Sequence, residues 1–195
     1  MNFFEVFGLP RRLAIDVDEL QRRFYALARQ THPDFHQAAP PAERVAAEER
    51  AAVVNAAYRT LRDPLTRAEY LVRLEEGRTT REGGEARPAA PASLLAEMFE
   101  IQEALAEAKA GPLDEAGRAA LAAQRDALQH RYAQEIDRVR GALAARWDAA
   151  TGAERPAALV ALKDALATLA YLRTVITDLS DALGEEASGV AHHRH

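Results

Sequence analysis

Two histidines and an aspartate lie close together in a short polar segment, where they could transfer protons or bind a metal. His32 and Asp34 flank Pro33, and His36 follows His32 at a spacing of four residues. A histidine beside a carboxylate suits general acid–base catalysis, and two histidines four residues apart on a helix can ligate a metal. Pro33 opposes a helix through this segment, however, so we expect a loop between two helices.

The other requirements of an enzyme or a metal protein are missing from the sequence. No serine or lysine nucleophile, glycine-rich phosphate loop or convergent carboxylate pair accompanies His32 and Asp34. The chain has no cysteine, which excludes disulfides, a catalytic thiol and thiolate-held metals. We therefore expect no catalysis, metal site or cofactor, and interpret these histidines and the later His192, His193 and His195 as solvated.

The composition predicts an all-α protein. Alanine is abundant among Leu, Glu and Arg, and alanine is the best helix former. With 48% hydrophobic and 28% charged residues, the chain suits a globular fold, and its net charge of -5 argues against a nucleic-acid binder. We recognise neither a signal peptide nor a membrane-spanning run, so a soluble cytoplasmic protein is expected, with no membrane partner.

In the N-terminal part we expect a helical hairpin with short flanking helices, and apolar periodicity places the hairpin and the short helix after it. Leu20, Phe24 and Leu27 repeat at helical spacing after a cap at Asp16 or Asp18. A second apolar stripe precedes Asp63–Pro64, and the two stripes are expected to face each other. The first predicted helix runs from that cap to about residue 30, the second begins after Pro41 and runs to about residue 62, and the third covers residues 66–74.

A change of composition divides the chain. Residues 75–92 are rich in glycine, proline and charge, without an apolar period, and are interpreted as a linker. Residues 93–184 contain three further helical stretches with short connections, which pack most simply as an antiparallel three-helix bundle. We expect the first module over residues 1–74 and a frayed tail over residues 185–195.

Some apolar residues of the bundle do not fit its core stripes. Leu95 and Phe99 form a second pair at helical spacing, and Tyr171 and Val175 lie to one side of the last stripe. Either the core is wide, or these side chains form an exposed patch of the kind that binds another protein. Periodicity alone leaves both interpretations open. Trp147, the only tryptophan, is interpreted as a packing residue.

The order of motifs in the N-terminal part resembles a J-domain, the module that stimulates ATP hydrolysis by DnaK-class chaperones. The motifs are residues 2–9, the tripeptide at residues 32–34 and the segment at residues 55–64. The runs at residues 65–74 and 94–105 narrow the resemblance to HscB, the J-type co-chaperone of iron–sulfur cluster assembly. The resemblance covers nearly the whole chain.

This resemblance implies an adaptor with two partners. One partner is a DnaK-class, HscA-like chaperone, and the implied contact residues are His32, Pro33, Asp34, Arg22, Arg23 and Arg29. The other partner is an IscU-like iron–sulfur scaffold protein, and the implied contact residues are Leu95, Ala96, Phe99 and Tyr171.

The resemblance assigns a binding role to several of the apolar residues that do not fit the core stripes, and so favours an exposed patch over a wide core.

Two positions depart from the expected pattern: Phe35 stands where a basic residue is common, and Ala96 is smaller than the apolar residue expected there. The alternative function is a J-domain co-chaperone that serves a different client.

Overall fold

The protein is helical throughout the part that the structure describes. The computed structural model describes residues 1–31, 40–77, 99–103, 105–106 and 114–184. No strand occurs within these ranges, and the all-α class is confirmed. None of the helices described there is long and apolar enough to cross a membrane. The predicted tail at residues 185–195 and most of the predicted linker lie outside these ranges.

Contacts divide the chain into two compact units. The first contains Met1–Gly83 and Arg140–Leu159, and the second contains Gly84–Val139 and Val160–His195. The sequence-based boundaries followed chain order, with residues 93–184 as one bundle. Residues 140–159 group instead with the N-terminal unit.

Four helices form the N-terminal part of the first unit: α1 (Phe3–Val6), α2 (Val17–Thr31), α3 (Pro41–Arg62) and α4 (Pro64–Glu75). The carboxylate of Asp16 accepts hydrogen bonds from the N–H groups of Asp18 and Glu19, which makes Asp16 the cap of α2. The last three helices agree with the predicted ones to within two residues at each end. Apolar periodicity did not locate α1, because four residues are too few to show an apolar period.

The core of the first unit lies where α2 and α3 pack together. Leu20 and Leu61 are fully buried, and the ring of Phe24 stacks on that of Tyr58 with centroids 4.1 Å apart. The predicted facing of the two apolar stripes is thus confirmed. From α4, the hydroxyl of Tyr70 accepts a 2.8 Å hydrogen bond from the N–H of Phe3, which fixes α1 against the hairpin.

Residues 140–159 join this unit through a buried tryptophan and a carboxylate. Trp147 is 2% exposed, and the carboxylate of Asp148 accepts hydrogen bonds from the N–H groups of Leu13 and Ala14. Arg67 of α4 is buried, which lowers the pKa of its guanidinium, whereas the charges of Asp63 and Asp148 act in the opposite direction. Trp147 therefore has the packing role that the sequence suggested.

The predicted long helix of the second half is present with one irregularity. It consists of α5 (Glu115–Arg138), a π-helical turn (Val139–Leu143) and α6 (Ala144–Ala149), and the next helix is α7 (Glu154–Ala182). Helix α7 begins at Glu154, two residues before Pro156. Asp114 caps α5 by accepting a hydrogen bond from the N–H of Gly117 at 2.7 Å.

One apolar core holds the second unit together. Its buried members come from three helical stretches and are Ile101, Leu105, Leu121, Leu128, Leu172, Val175, Ile176, Leu179 and Leu183. Val175, which lies to one side of the core stripe, is 2% exposed and belongs to the core, so the wide-core interpretation applies to this side chain. A helix covered by two neighbours buries a wider face than a single seam.

Candidate partner-binding surfaces

Helix α2 presents basic side chains on the face opposite its apolar stripe. Arg22 and Arg29 are both exposed, and their spacing of seven residues places them on the same face of the helix. The ring of Phe24 packs toward α3, so the helix is anchored on one side and open on the other. This arginine face of α2, defined by Arg22 and Arg29, can meet an acidic surface without any rearrangement of the backbone.

Glu19 orders the first of these arginines. Its Oε2 accepts hydrogen bonds from Nε and Nη2 of Arg22, at 2.9 and 2.7 Å. Its Oε1 accepts a 2.8 Å hydrogen bond from Nε of Arg23. Hydrogen bonds from Arg23 and then Arg22 lower the pKa of Glu19, and the same contact with Glu19 raises the pKa of Arg22.

Arg23 differs from its neighbour in where its guanidinium binds. Its Nη1 donates hydrogen bonds to the carbonyl oxygens of Phe7 and Gly8, at 2.6 and 3.0 Å. Gly8 has a φ of +59°, a conformation that residues with a side chain rarely adopt. Arg23 therefore connects α2 to the loop after α1, in addition to any contact that it makes with a partner.

The structure adds a residue that the sequence analysis did not single out. Tyr25 is 57% exposed and lies three residues after Arg22 and four before Arg29, so it shares their face. Its hydroxyl accepts a 3.2 Å hydrogen bond from Nε2 of Gln21. Helical spacing from the two arginines could have identified it, because an exposed tyrosine between cations is a favourable contact residue.

Several of the predicted contact residues lie outside the described residues. They are His32, Pro33 and Asp34 of the loop after α2, and Leu95 and Ala96 before the helical residues 99–103. The departure noted at Phe35 also falls there.

Phe99 and Tyr171, the two described members of the predicted scaffold site, differ in burial. Phe99 is 76% exposed, whereas Ile101, two residues later, is 1% exposed and belongs to the core. Tyr171 is partly buried and packs against that core. Phe99 is thus not a core residue, and Tyr171 combines packing with a partly open position.

The described residues contain no group of three or more metal-ligating side chains. On the arginine face of α2, Arg22 forms an ion pair with Glu19. Both surfaces are therefore suited to binding partners through charge or apolar contact.

Comparison with known proteins agrees with this organisation. Residues 2–70 match the model of the DnaJ domain. The Co-chaperone protein HscB homolog of Vibrio cholerae is 35% identical over 136 residues, which cover 70% of this chain and 78% of that protein.

Two solved structures resemble the whole chain. Chaperone HscB from Vibrio cholerae matches with a TM-score of 0.59 and 28% identity, over 93% of this chain and 96% of that one. The human co-chaperone protein HscB matches with a TM-score of 0.58 and 23% identity, over 92% of this chain and 81% of that one, and this second likeness shows the fold alone. The chain thus belongs to the HscB family of J-domain co-chaperones, which serves iron–sulfur cluster assembly.

Proposed function

We propose that the protein delivers an IscU-like iron–sulfur scaffold protein to a DnaK-class, HscA-like chaperone and stimulates the ATPase of that chaperone, acting in the cytoplasm. The observation that carries the proposal is the arginine face of α2 within a DnaJ domain, since two exposed guanidinium groups on one helical face provide a docking surface for carboxylates.

On the chaperone side, Arg22 and Arg29 make the first contact, and Tyr25 between them supplies apolar area. Arg23 contributes mainly by holding α2 on the loop that contains Phe7 and Gly8. The tripeptide His32, Pro33 and Asp34 follows α2 directly, so a chaperone docked on the arginine face meets it next. Exposed ion pairs between these arginines and carboxylates of the chaperone are screened by salt, so the association should weaken as the salt concentration rises.

On the scaffold side, Phe99 supplies an exposed aromatic anchor, and Leu95, Ala96 and Tyr171 complete the contact. The high exposure of Phe99 supports this assignment, because aromatic side chains are enriched in protein-binding surfaces. The proposed domains are the J-domain at residues 1–74, which binds the chaperone, the linker at residues 75–92 and the bundle at residues 93–184, which binds the scaffold.

The mechanism requires no bond chemistry in this chain. The J-domain shifts the chaperone toward its hydrolysing state by binding that state more tightly than the alternative, since equal affinity for both states would shift nothing. Binding of the scaffold by the same chain raises the local concentration of scaffold at the chaperone.

The test is a steady-state ATPase assay of the chaperone with this protein, the scaffold, or both. We expect stimulation by this protein alone and a greater than additive effect with the scaffold. His32→Gln and Asp34→Asn should abolish stimulation, and Arg22→Ala combined with Arg29→Ala should weaken it. Arg50→Ala combined with Arg59→Ala, two exposed arginines of α3, serves as a control of equal charge change. Unchanged stimulation by the His32 and Asp34 variants would contradict the chaperone assignment.

The same assay distinguishes the proposed function from the alternative, in which the protein serves a different client. Stimulation by this protein that the scaffold does not increase, together with no binding of scaffold, would indicate a J-domain co-chaperone for a different protein.

A further inference from the structure

Beside Trp147, the first unit contains an open hollow that neither proposed partner surface uses. The hollow has a volume of about 500 Å³, within the range of roughly 300–1,000 Å³ that small-molecule sites occupy. Its charged lining residues are Arg11, Arg12, Arg155, Glu75 and Asp148. We name it the arginine hollow.

The two carboxylates of the arginine hollow already have partners. Both oxygens of Asp148 accept hydrogen bonds from backbone N–H groups, those of Leu13 and Ala14, each at 2.8 Å. Oε1 of Glu75 lies 3.9 Å from Nη1 of Arg11. Asp148 is therefore paired with backbone N–H groups and Glu75 with Arg11, so neither carboxylate neutralises Arg12 or Arg155.

Arg12 and Arg155 retain positive charges that no carboxylate among the described residues neutralises. Both side chains are exposed, and no carboxylate of the described residues forms an ion pair with either of them. Like charges held on one concave surface repel each other, and an anion between them removes this repulsion.

The guanidinium of Arg155 and the backbone of Arg12 are held by their surroundings. The guanidinium of Arg155 lies over the ring of Trp147, with Cζ 4.5 Å from the ring centroid, and Trp147 is itself buried. The N–H of Arg12 donates a 2.8 Å hydrogen bond to the carbonyl of Pro10, and Leu13 beside it is held by Asp148. Cations that are already positioned lose less entropy when a ligand binds.

The beginning of α7 adds two features that favour negative charge. Thr151 lines the hollow with a hydroxyl group that can donate a hydrogen bond, and Arg155 belongs to the first turn of α7. The positive end of a long helix dipole favours an anion at this place.

We infer that the arginine hollow binds a small anion with more than one phosphate or carboxylate group. The planar fork of a guanidinium matches both kinds of oxyanion with paired hydrogen bonds, and two such forks can each bind one anionic group of such a ligand. Trp147, to which the sequence analysis gave only a packing role, forms part of the wall and places an indole directly under Arg155.

The full-length protein reports binding through its own fluorescence, because Trp147 is its only tryptophan. Pyrophosphate and citrate are titrated separately, with sodium chloride at matched ionic strength as the blank, and isothermal titration calorimetry measures each affinity independently of the indole. We expect saturable binding of at least one of the two anions. Tighter binding of pyrophosphate identifies a phosphate ligand, and tighter binding of citrate identifies a carboxylate ligand.

Variants locate the binding in the hollow. Arg12→Ala and Arg155→Ala should each weaken binding by about tenfold or more, the loss expected for one charge-assisted contact. Arg59→Ala, which removes an exposed arginine of α3, should leave the affinity unchanged. For Arg155→Ala the affinity is measured by calorimetry alone, since this change also alters the surroundings of the indole and hence its fluorescence. An effect reproduced by chloride, or equal affinity in all three variants, would overturn the inference, as would the absence of saturable binding.

Discussion

The carboxylate of Asp148 accepts a hydrogen bond from the backbone N–H of Leu13 at 2.8 Å, across 135 residues of chain. Its second oxygen accepts another from the N–H of Ala14. Two backbone donors of the loop between α1 and α2 thus depend on one side chain of α6. Residues 140–159 therefore help to hold the loop before α2 within the first unit.

Replacement of Asp148 by alanine should destabilise the first unit. The change removes two charge-assisted hydrogen bonds and one of the two carboxylates whose charges stabilise buried Arg67. We expect the free energy of unfolding to fall by roughly 2–4 kcal/mol. Fluorescence of Trp147 during chemical denaturation measures this unit specifically, because no other tryptophan is present. Asp126→Ala on exposed α5 is the matched control, and an equal loss in both variants would contradict the role of Asp148.

Replacement of Gly8 by alanine should also destabilise the first unit, for a different reason. A Cβ at this position would lie 3.5 Å from Nη1 of Arg23, an ordinary contact, so space is not limiting. The φ of +59° is unfavourable for alanine, which costs about 1–2 kcal/mol. The melting temperature should therefore fall.

Gly141→Ala provides the control for this substitution. Gly141 lies in the π-helical turn, and an added Cβ would meet no atom within 4 Å. Since alanine is favoured over glycine in helical segments by about 1 kcal/mol, this variant should be as stable as the wild type or more stable. Similar losses in the two variants would exclude backbone strain as the cause at Gly8.

Sequence patterns predicted the elements that depend on local periodicity. The stripe of Leu20, Phe24 and Leu27 was sufficient to predict α2, and the same counting left Phe99 outside the core, where the structure leaves it exposed. The contact between Asp148 and Leu13 was not predictable, because no periodic signal connects residues so distant in the chain. The different roles of Arg22 and Arg23 were not predictable either, because the two residues are adjacent and of the same type. Only the structure shows that Arg23 donates hydrogen bonds to carbonyl oxygens of the loop after α1.

The ion pairs of Glu19 should depend on pH. Because the folded-state pKa of Glu19 is lowered, its contribution to stability is present above the unfolded-state pKa and is lost as the pH falls through the folded-state pKa. Protonation removes the charge that holds Arg22 and Arg23. Titration of the side-chain carboxyl carbon by NMR measures the shift directly.

Arginine variants assign the cause of this shift. Arg23→Ala should raise the pKa of Glu19 toward its ordinary value more than Arg22→Ala does, because the hydrogen bond from Arg23 is the larger cause. The reverse order, or no change in either variant, would show that these hydrogen bonds do not persist in solution.

Phe99 and Ile101 should separate binding from folding in the second unit. Phe99 is 76% exposed, so Phe99→Ala removes little buried area and should leave the melting temperature nearly unchanged. Ile101 is 1% exposed in the core, and Ile101→Ala should cost about 2–5 kcal/mol of stability. Calorimetric titration with the scaffold should show weaker binding for Phe99→Ala, since an exposed aromatic anchor is lost. A Phe99→Ala variant that binds the scaffold as tightly as the wild type would place the scaffold contact elsewhere on the bundle.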